Sequence, residues 1–171
     1  MADLVEILMI EHLAMKRMKE KQVTGMSNEE FSSFHGFLMN VHVEVEEKIV
    51  FPELIKPYWD DDRQYAEKIE KIKADHKLIN TLAMNLTKWY NDGNIKTYND
   101  RIPLYFRLLV DHNTLEEKEI FPRWKDLNKF DESGKLAKEC VNIIETYGEG
   151  DYLKMLDLSE GAFKYLFRNL I

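Results

Sequence analysis

Four of the chain's five histidines stand where an α-helix would place a buried apolar side chain. The clearest example is a segment whose apolar positions alternate steps of four and three, as on one face of a helix: Tyr65, Ile69, Ile72, His76, Ile79, Ala83, Leu86 and Tyr90. His12, His42 and His112 occupy equivalent positions in three further segments. Seven glycines are few for a β-rich chain, so the sequence predicts an all-α fold.

Local signals mark the ends of the first two helices. The first is predicted over residues 3–21, because Thr24-Gly25 interrupts its period. Ser27-Asn28-Glu29-Glu30 then has the pattern of a capping box, in which the Ser hydroxyl and the Glu three residues later bond to free backbone N–H groups. The second helix therefore begins here, and we expect it to stop near Pro52 or Pro57.

Two more helices complete the predicted bundle. Asp60-Asp61-Asp62 favours the start of the third helix, because negative charge complements the helix dipole there. Asn91-Asp92-Gly93-Asn94 ends this helix. The fourth is predicted from about Asn99, with Pro103 in its first turn, to about Phe121. The predicted architecture is an antiparallel up-down four-helix bundle with two additional C-terminal helices.

Those two C-terminal helices are predicted over residues 131–147 and 151–171, separated by Gly148-Glu149-Gly150. They contain no histidine. We therefore divide the chain into a bundle domain, 1–128, and an extension, 129–171, whose apolar residues pack on the bundle or on a partner subunit. These apolar residues are Leu153, Leu156, Phe163, Leu166 and Phe167.

Composition excludes several classes of function. The net charge is −7 with both signs interspersed, which is not the clustered basic surface of a nucleic-acid-binding protein. No apolar run is long enough to span a membrane, and the N-terminal residues do not have the pattern of a signal peptide. The single cysteine, Cys140, excludes an internal disulfide and a cysteine-based metal cluster. We expect a cytoplasmic protein.

The four histidines predict a metal site in the bundle core. An imidazole on a core face needs a partner, because burying an unpaired polar group is costly. A single core histidine is usually satisfied by a hydrogen bond. Four of them, one on each helix, can instead converge on bound metal.

Two copies of one motif add carboxylates to these imidazoles. Each motif has a histidine, two glutamates that start four residues later, and a Phe-Pro pair: His42…Glu46-Glu47…Phe51-Pro52 and His112…Glu116-Glu117…Phe121-Pro122. Side chains four residues apart on a helix are neighbours, about 5–6 Å apart at Cβ, so each pair can bind one centre. Imidazole and carboxylate ligands without thiolate suit iron or manganese better than structural zinc, although zinc and copper also accept imidazole.

The repeated motif resembles that of the hemerythrin-like, or HHE cation-binding, family over residues 1 to about 125. The resemblance implies a non-haem di-iron centre whose reduced form reacts with dioxygen, and in some relatives with nitric oxide or peroxide. The implied ligands are His12, His42, Glu46, His76, His112 and Glu116, with Glu46 and Glu116 bridging the two ions. Oxygen carriers of the family have a histidine four residues after the third-helix ligand, where this chain has Asn80. The chain also lacks the Cys-containing N-terminal region of the iron–sulfur repair relatives.

Residues near the predicted ligands have simpler interpretations. We interpret His35 as a capped or partly exposed histidine near the end of the bundle, not as a fifth ligand. Glu47 and Glu117 are acids beside the site or on the surface, although either could replace its neighbour as ligand. The tyrosines that share these faces are interpreted as core residues, as is Cys140: Tyr65, Tyr90 and Tyr105.

Three functional hypotheses follow. The first is a di-iron protein that binds or reduces dioxygen, nitric oxide or peroxide, in oxygen sensing or in the response to oxidative or nitrosative stress. Binding or sensing is slightly favoured over an oxidase or peroxide-removing activity. The second is iron storage or handling. The third is a metal-stabilised structural or interaction module whose C-terminal helices dock a partner or form a homodimer. A hydrolytic zinc or manganese enzyme is a further alternative.

Overall fold

The computed structural model describes residues 4–55, 63–126 and 134–167. These residues are almost entirely helical and contain no β-strand, which confirms the all-α prediction. Their α-helices are α1 (Leu4–Thr24), α2 (Asn28–Phe37), α3 (Val43–Val45), α4 (Phe51–Leu54), α5 (Arg63–Asn91), α6 (Ile95–Leu115), α7 (Phe121–Asp126), α8 (Lys135–Tyr147), α9 (Glu149–Leu156) and α10 (Glu160–Phe167).

Three five-residue π-helical segments join some of these helices without a break. They are π1 (Leu38–His42), π2 (Glu46–Val50) and π3 (Glu116–Ile120). The second long helix therefore runs continuously over residues 28–54 and the fourth over residues 95–126. We did not predict these segments. The antiparallel up-down order of the four long helices stays a prediction.

The predicted capping box is confirmed at the start of α2. Ser27 N donates to Glu30 Oε2 at 2.9 Å, and Glu30 N donates to Ser27 Oγ at 3.1 Å. The helix before it ends one turn later than predicted, at Thr24, where Gly25 adopts a φ of 121°. Pro57, a predicted stop of the second helix, and Asp60-Asp61-Asp62, the predicted start of the third, are outside the described residues.

The predicted start of the fourth helix is wrong. α6 begins at Ile95, because Asn94 caps it by accepting a hydrogen bond from Thr97 N at 3.3 Å. Pro103 consequently lies inside the helix, where it is exposed, and not in the first turn. The Asn-Asp-Gly-Asn turn thus ends α5, with Gly93 at a φ of 75°, and also starts α6.

The prediction of two C-terminal helices is also wrong. α8 ends at Tyr147 as predicted, but only Gly148, with a φ of 120°, separates it from α9. Asp157 adopts a left-handed conformation with a φ of 57° and ends α9, so a third helix, α10, follows. The side chains of Phe163, Leu166 and Phe167 are outside the described part of the structure.

The long helices enclose an apolar core, and the C-terminal helices pack against it. α5 packs along α6, and α6 along α1. α8 contacts π1, α3 and π2, while α9 contacts α1 and α2. Leu153 and Leu156 are buried against the bundle. The third helix buries its predicted stripe from Tyr65 to Leu86, but Tyr90 at its end is 39% exposed.

The described helices were also searched for candidate membrane spans. None of them combines the length and apolar character that crossing a membrane requires.

Candidate metal centre

All six predicted ligand residues meet in the core of the bundle. They form two groups, each with ligand atoms within 4.8 Å of one another, and every member is buried. Glu46 and Glu116 belong to both groups. His12 and His42 complete the first group, and His76 and His112 complete the second. Each group could therefore hold a metal ion, with the two carboxylates shared between them.

The two motifs contribute their His–Glu pairs through local helix geometry. His42 Nε2 lies 3.3 Å from Glu46 Oε1, and His112 Nε2 lies 3.3 Å from Glu116 Oε1. The remaining histidines reach the same carboxylates from other helices. His76 Nε2 is 3.3 Å from Glu46 Oε2, and His12 Nε2 is 3.5 Å from Glu116 Oε2. The imidazole Nε2 atoms thus face a common centre.

The π-helical segments begin or end at these ligands. His42 is the last residue of π1, while Glu46 and Glu116 are the first residues of π2 and π3. A π-helical turn holds one more residue than an α-helical turn, and such turns often occur at functional sites. Here they change the helical register directly beside the ligands, which the apolar period did not reveal.

The Phe-Pro pairs lie shortly before the ends of two long helices. The second helix ends at Leu54, near Pro52 as predicted, whereas the fourth runs on to Asp126, past its predicted end near Phe121. Phe51 begins α4 and Phe121 begins α7, each directly after a π segment. Their rings stack on ligand imidazoles. Phe51 stacks on His76 with centroids 6.2 Å apart, and Phe121 on His12 at 5.4 Å. Each aromatic ring covers a histidine of another helix and helps to keep water from the centre.

An acidic side chain lies beside the Nδ1 atom of every ligand histidine. Three of these contacts are hydrogen bonds, which join His12 to Glu117 at 3.0 Å, His42 to Glu11 at 2.7 Å and His76 to Glu47 at 2.7 Å. The fourth, from His112 to Asp75, is longer at 3.9 Å. A carboxylate only accepts, so each bonded Nδ1 carries a proton, and Nε2 faces the centre, where it could bind a metal ion.

These acids link the four helices into a closed ring. Each helix supplies an acid to the histidine of the next long helix in the sequence, and the fourth supplies Glu117 to the first. The interpretation of Glu47 and Glu117 as acids beside the site is confirmed. We missed Glu11 and Asp75, although a signal was present. All four acids directly precede or follow a ligand residue in the sequence.

The geometry agrees with a comparison against known families. Residues 3–124 match the family model described as the hemerythrin HHE cation binding domain, which is more than half of the chain. The chain belongs to the hemerythrin HHE cation-binding family. Comparisons with curated proteins and with solved structures gave no significant match. The family implies cation binding, commonly of iron, and the buried His/Glu groups fit such a site.

Unpaired polar atoms show that this hemerythrin-like core suits a cation. Within the described residues, both carboxylate oxygens of Glu46 and of Glu116 lack a hydrogen-bond partner, as does His76 Nε2. These atoms are buried, and burying an unpaired carboxylate is costly. A cation at the centre would satisfy all of them at once. Carboxylate oxygen and imidazole nitrogen are suitable ligands for iron, manganese or zinc.

The electrostatics of the hemerythrin-like centre point the same way. Burial lowers the pKa of His42, but Glu46 and Glu11 outweigh burial and raise that pKa well above its usual value. Burial likewise opposes a raised pKa at His76, but Glu116 and Glu46 raise it to about 10. Despite burial, His42 and His76 hold the pKa of Glu46 well below its usual value. In the metal-free chain, protons therefore supply positive charge that a metal ion would replace.

His35 belongs to neither group. It is half-buried, accepts a hydrogen bond from the Tyr105 hydroxyl at Nδ1 (3.0 Å) and donates from Nε2 to Asn80 Oδ1 (2.9 Å). Asn80, four residues after His76 in the sequence, thus bonds to His35. Tyr105 is buried in the core, as predicted. Cys140 is also buried, which confirms its interpretation as a small apolar residue.

Proposed function

We propose that this chain is a non-haem di-iron protein that binds or reduces dioxygen, with nitric oxide and peroxide as related ligands. The observation that carries the proposal is the pair of buried two-histidine groups that share Glu46 and Glu116. Two shared carboxylates suit two cations held close together. A single structural ion would not require both groups.

The donor atoms support iron as the metal. Each group offers two imidazoles and two carboxylates. Non-haem iron(II) sites that activate oxygen combine histidine and carboxylate ligands and keep coordination positions open. The one cysteine, Cys140, lies outside both groups, so thiolate does not favour zinc or copper(I).

The roles of the residues follow from their contacts. A bound ferrous pair would supply two electrons and open positions for dioxygen. Glu46 and Glu116 would hold both ions, because each belongs to both groups. The ring of acids fixes the orientation of the imidazoles and increases their strength as ligands. Phe51 and Phe121 shield the centre from water by stacking on His76 and His12.

An absorption spectrum tests the proposal. The anaerobically reduced, iron-loaded protein is measured before and after exposure to air, and its iron content is determined on the same sample. We expect two irons per chain, one for each group, and a new ligand-to-iron charge-transfer band in air. Reversal of the band when oxygen is removed would indicate binding or sensing, and an irreversible change would indicate oxygen reduction.

Two variants test whether the spectral response comes from the two buried His/Glu groups. His76→Gln removes a ligand of the second group and should lose iron together with the spectral response. His35→Gln removes a histidine of neither group and should keep both. If the wild-type protein takes up no iron, or binds one zinc ion without a spectral response, the di-iron proposal is wrong. A metal-stabilised structural module would then be the better account.

A further inference from the structure

One ligand histidine is connected to the C-terminal helices. The Tyr152 hydroxyl of α9 donates to Glu11 Oε1 at 2.8 Å, and Glu11 Oε2 accepts from His42 Nδ1 at 2.7 Å. Tyr152 and Glu11 are each 1% exposed and His42 is 0% exposed. A hydrogen bond between buried groups is electrostatically stronger than one in water. The chain of contacts Tyr152–Glu11–His42 therefore transmits a change at one end to the other.

This connection distinguishes His42 from the other ligand histidines. The side chains of the other three acids are partly open to solvent: Glu47 at 35%, Asp75 at 34% and Glu117 at 24%. Glu11 alone among the four is enclosed, and a tyrosine from outside the four long helices holds its second oxygen. The group that contains His42 is thus surrounded differently from the group that contains His76.

The segment that carries Tyr152 lies beyond residues 3–124, the part that matches the family. α9 is fixed to the bundle by several contacts. Arg17 Nη2 donates to the Leu156 carbonyl oxygen at 2.6 Å, and Leu153 and Leu156 are buried. The Tyr152 ring also packs near Phe37, with ring centroids 6.0 Å apart. The position of the Tyr152 hydroxyl therefore depends on the docking of α9.

We propose that Tyr152 is a positioning residue that lets the C-terminal helices tune one half of the metal centre, the group formed by His12, His42, Glu46 and Glu116. The inference rests on the proposed di-iron function. Tyr152 does not contact the ligand atoms, and it acts through Glu11 on His42. The two metal ions are consequently inequivalent, although each group has the same kinds of ligand.

The expected change in reduction potential follows from the two hydrogen bonds that Glu11 accepts. The carboxylate accepts one bond from the Tyr152 hydroxyl and one from His42. Without the hydroxyl, Glu11 accepts more strongly from His42 Nδ1, which makes the imidazole more anionic and a stronger ligand. A stronger ligand favours the higher oxidation state of the metal it binds. Removal of the hydroxyl should therefore lower the reduction potential of that ion alone.

The coupling also works in the opposite direction. If docked α9 changes the metal affinity of the first group, metal in that group must change the docking equilibrium constant of α9 by the same factor. Because the Tyr152 hydroxyl makes His42 a weaker ligand, metal binding should weaken the docking of α9 and speed its amide hydrogen exchange. The Tyr152–Glu11 hydrogen bond is the contact that carries this coupling.

Tyr152→Phe tests the inference, with Tyr147→Phe as the matched control. Both variants remove one hydroxyl from the C-terminal helices, but the Tyr147 hydroxyl donates to the Ser33 carbonyl oxygen at 3.4 Å and has no link to the centre. The readouts are the reduction potential, the Mössbauer spectrum of the ⁵⁷Fe-loaded protein and hydrogen exchange in α9 with and without iron. Thermal unfolding of both variants measures any purely structural loss.

We expect Tyr152→Phe to change the ratio of the affinities of this group for ferric and ferrous iron about tenfold. This size is typical for a residue outside the ligand shell. This corresponds to a potential about 59 mV lower for a one-electron couple. One of two Mössbauer doublets should shift, and the metal-dependent increase in hydrogen exchange of α9 should disappear. Glu11→Gln should alter the same doublet, and Tyr147→Phe should alter neither.

Two results would overturn the inference in distinguishable ways. If wild-type protein binds two irons but Tyr152→Phe matches Tyr147→Phe in potential, spectrum and exchange, Tyr152 only packs the core and the inference alone fails. The same conclusion follows if Tyr152→Phe lowers thermal stability without moving a doublet. If the wild-type protein binds no iron, the proposed function fails and the inference fails with it.

Discussion

At the scale of single residues, the acids beside the imidazoles account for much of the expected affinity for metal. Glu47 accepts from His76 and Glu117 from His12, so each acts on a different group. Loss of such a partner typically weakens metal binding about 10- to 100-fold. We expect this decrease for Glu47→Gln and for Glu117→Gln, measured as iron affinity in competition with a chelator.

A control for these variants lies on the same helix as Glu47. Glu44 bonds to Lys48 and contacts no ligand histidine, so Glu44→Gln should leave the iron affinity unchanged. An equal loss in Glu44→Gln would show that charge in general, and not orientation of the imidazoles, accounts for the effect.

His35 should remain neutral at physiological pH. Burial lowers its pKa below the usual 6.5, and the bond to Asn80 only partly opposes this. The unfolded chain therefore takes up a proton near pH 6.5 while the folded chain does not. Because this pKa is depressed, the stability contributed by His35 is present above about pH 6.5 and is lost as the pH falls through the folded value.

Nuclear magnetic resonance of the metal-free protein checks this value. The His35 ring signal, assigned by its absence in His35→Gln, should titrate below 6.5. Asn80→Ala should lower the pKa further, because it removes the one contact that raises it. A His35 pKa at or above 6.5 would contradict the prediction.

The residues of the two buried His/Glu groups could be predicted to meet because their signals are local. Each histidine replaces an apolar residue within a period of a few positions, and each His–Glu pair spans a single helical turn. The bond from Tyr152 to Glu11 joins residues 141 positions apart. It depends on where α9 docks, and no local pattern encodes that. Glu11 directly precedes His12 in the sequence. Its hydrogen bond to His42, however, forms only in the folded bundle and could not be predicted from the sequence.

At the scale of helices, the capping box at Ser27 gives a direct test. Its hydroxyl accepts from Glu30 N at the start of α2. Replacement of such a cap by alanine typically lowers stability by about 1 kcal/mol. We expect Ser27→Ala to lower the free energy of unfolding by about this amount in chemical denaturation while leaving iron content unchanged.

The control is Ser32→Ala, at an exposed interior position of the same helix. Alanine has the higher helix propensity, so this variant should be as stable as the wild type or slightly more stable. Equal losses in Ser27→Ala and Ser32→Ala would show that the cap contributes nothing specific.

Helices were predictable where the apolar period is regular, and less so where one residue changes the register. The period of α5 identified the helix and its end at Asn91. π1, π2 and π3 were not predicted, because one inserted residue leaves the apolar positions on both sides separated by steps of three and four. Asn94 was missed as a cap because its turn was interpreted only as the end of the preceding helix. A turn of this kind can end one helix and begin the next.

At the scale of the whole molecule, the two buried His/Glu groups link elements that are far apart in sequence. Their residues come from all four long helices, and the acids join each helix to the next. The C-terminal helices reach the same network through Tyr152. A metal ion held by these groups would be a contact common to the whole bundle, and we expect its removal to lower global stability strongly.

Metal binding should stabilise the folded chain by an amount that grows with pH. A ligand that binds only the folded state, at about 1,000 times its Kd, stabilises it by about 4 kcal/mol. The pKa values of His12, His42 and His76 are raised, so metal must displace protons at neutral pH, and its affinity rises with pH. Without metal, the stability that these histidines contribute is full below about pH 6.5. It is lost as the pH rises through their folded pKa values, to about 10 for His76.

The difference in melting temperature between the iron(II)-loaded and metal-free protein, measured anaerobically, should therefore widen from about pH 6.5 to about pH 9. His35 does not change the stability over this pH range, because its pKa is lowered and its protonation affects stability only below pH 6.5. His76→Gln removes one proton-holding ligand and should show both a smaller difference and a weaker dependence on pH. A difference that stays constant or narrows as the pH rises would mean that metal and protons do not compete for these imidazoles. The absence of any difference, at every pH, would mean that the cluster is a structural hydrogen-bond network and not a metal centre.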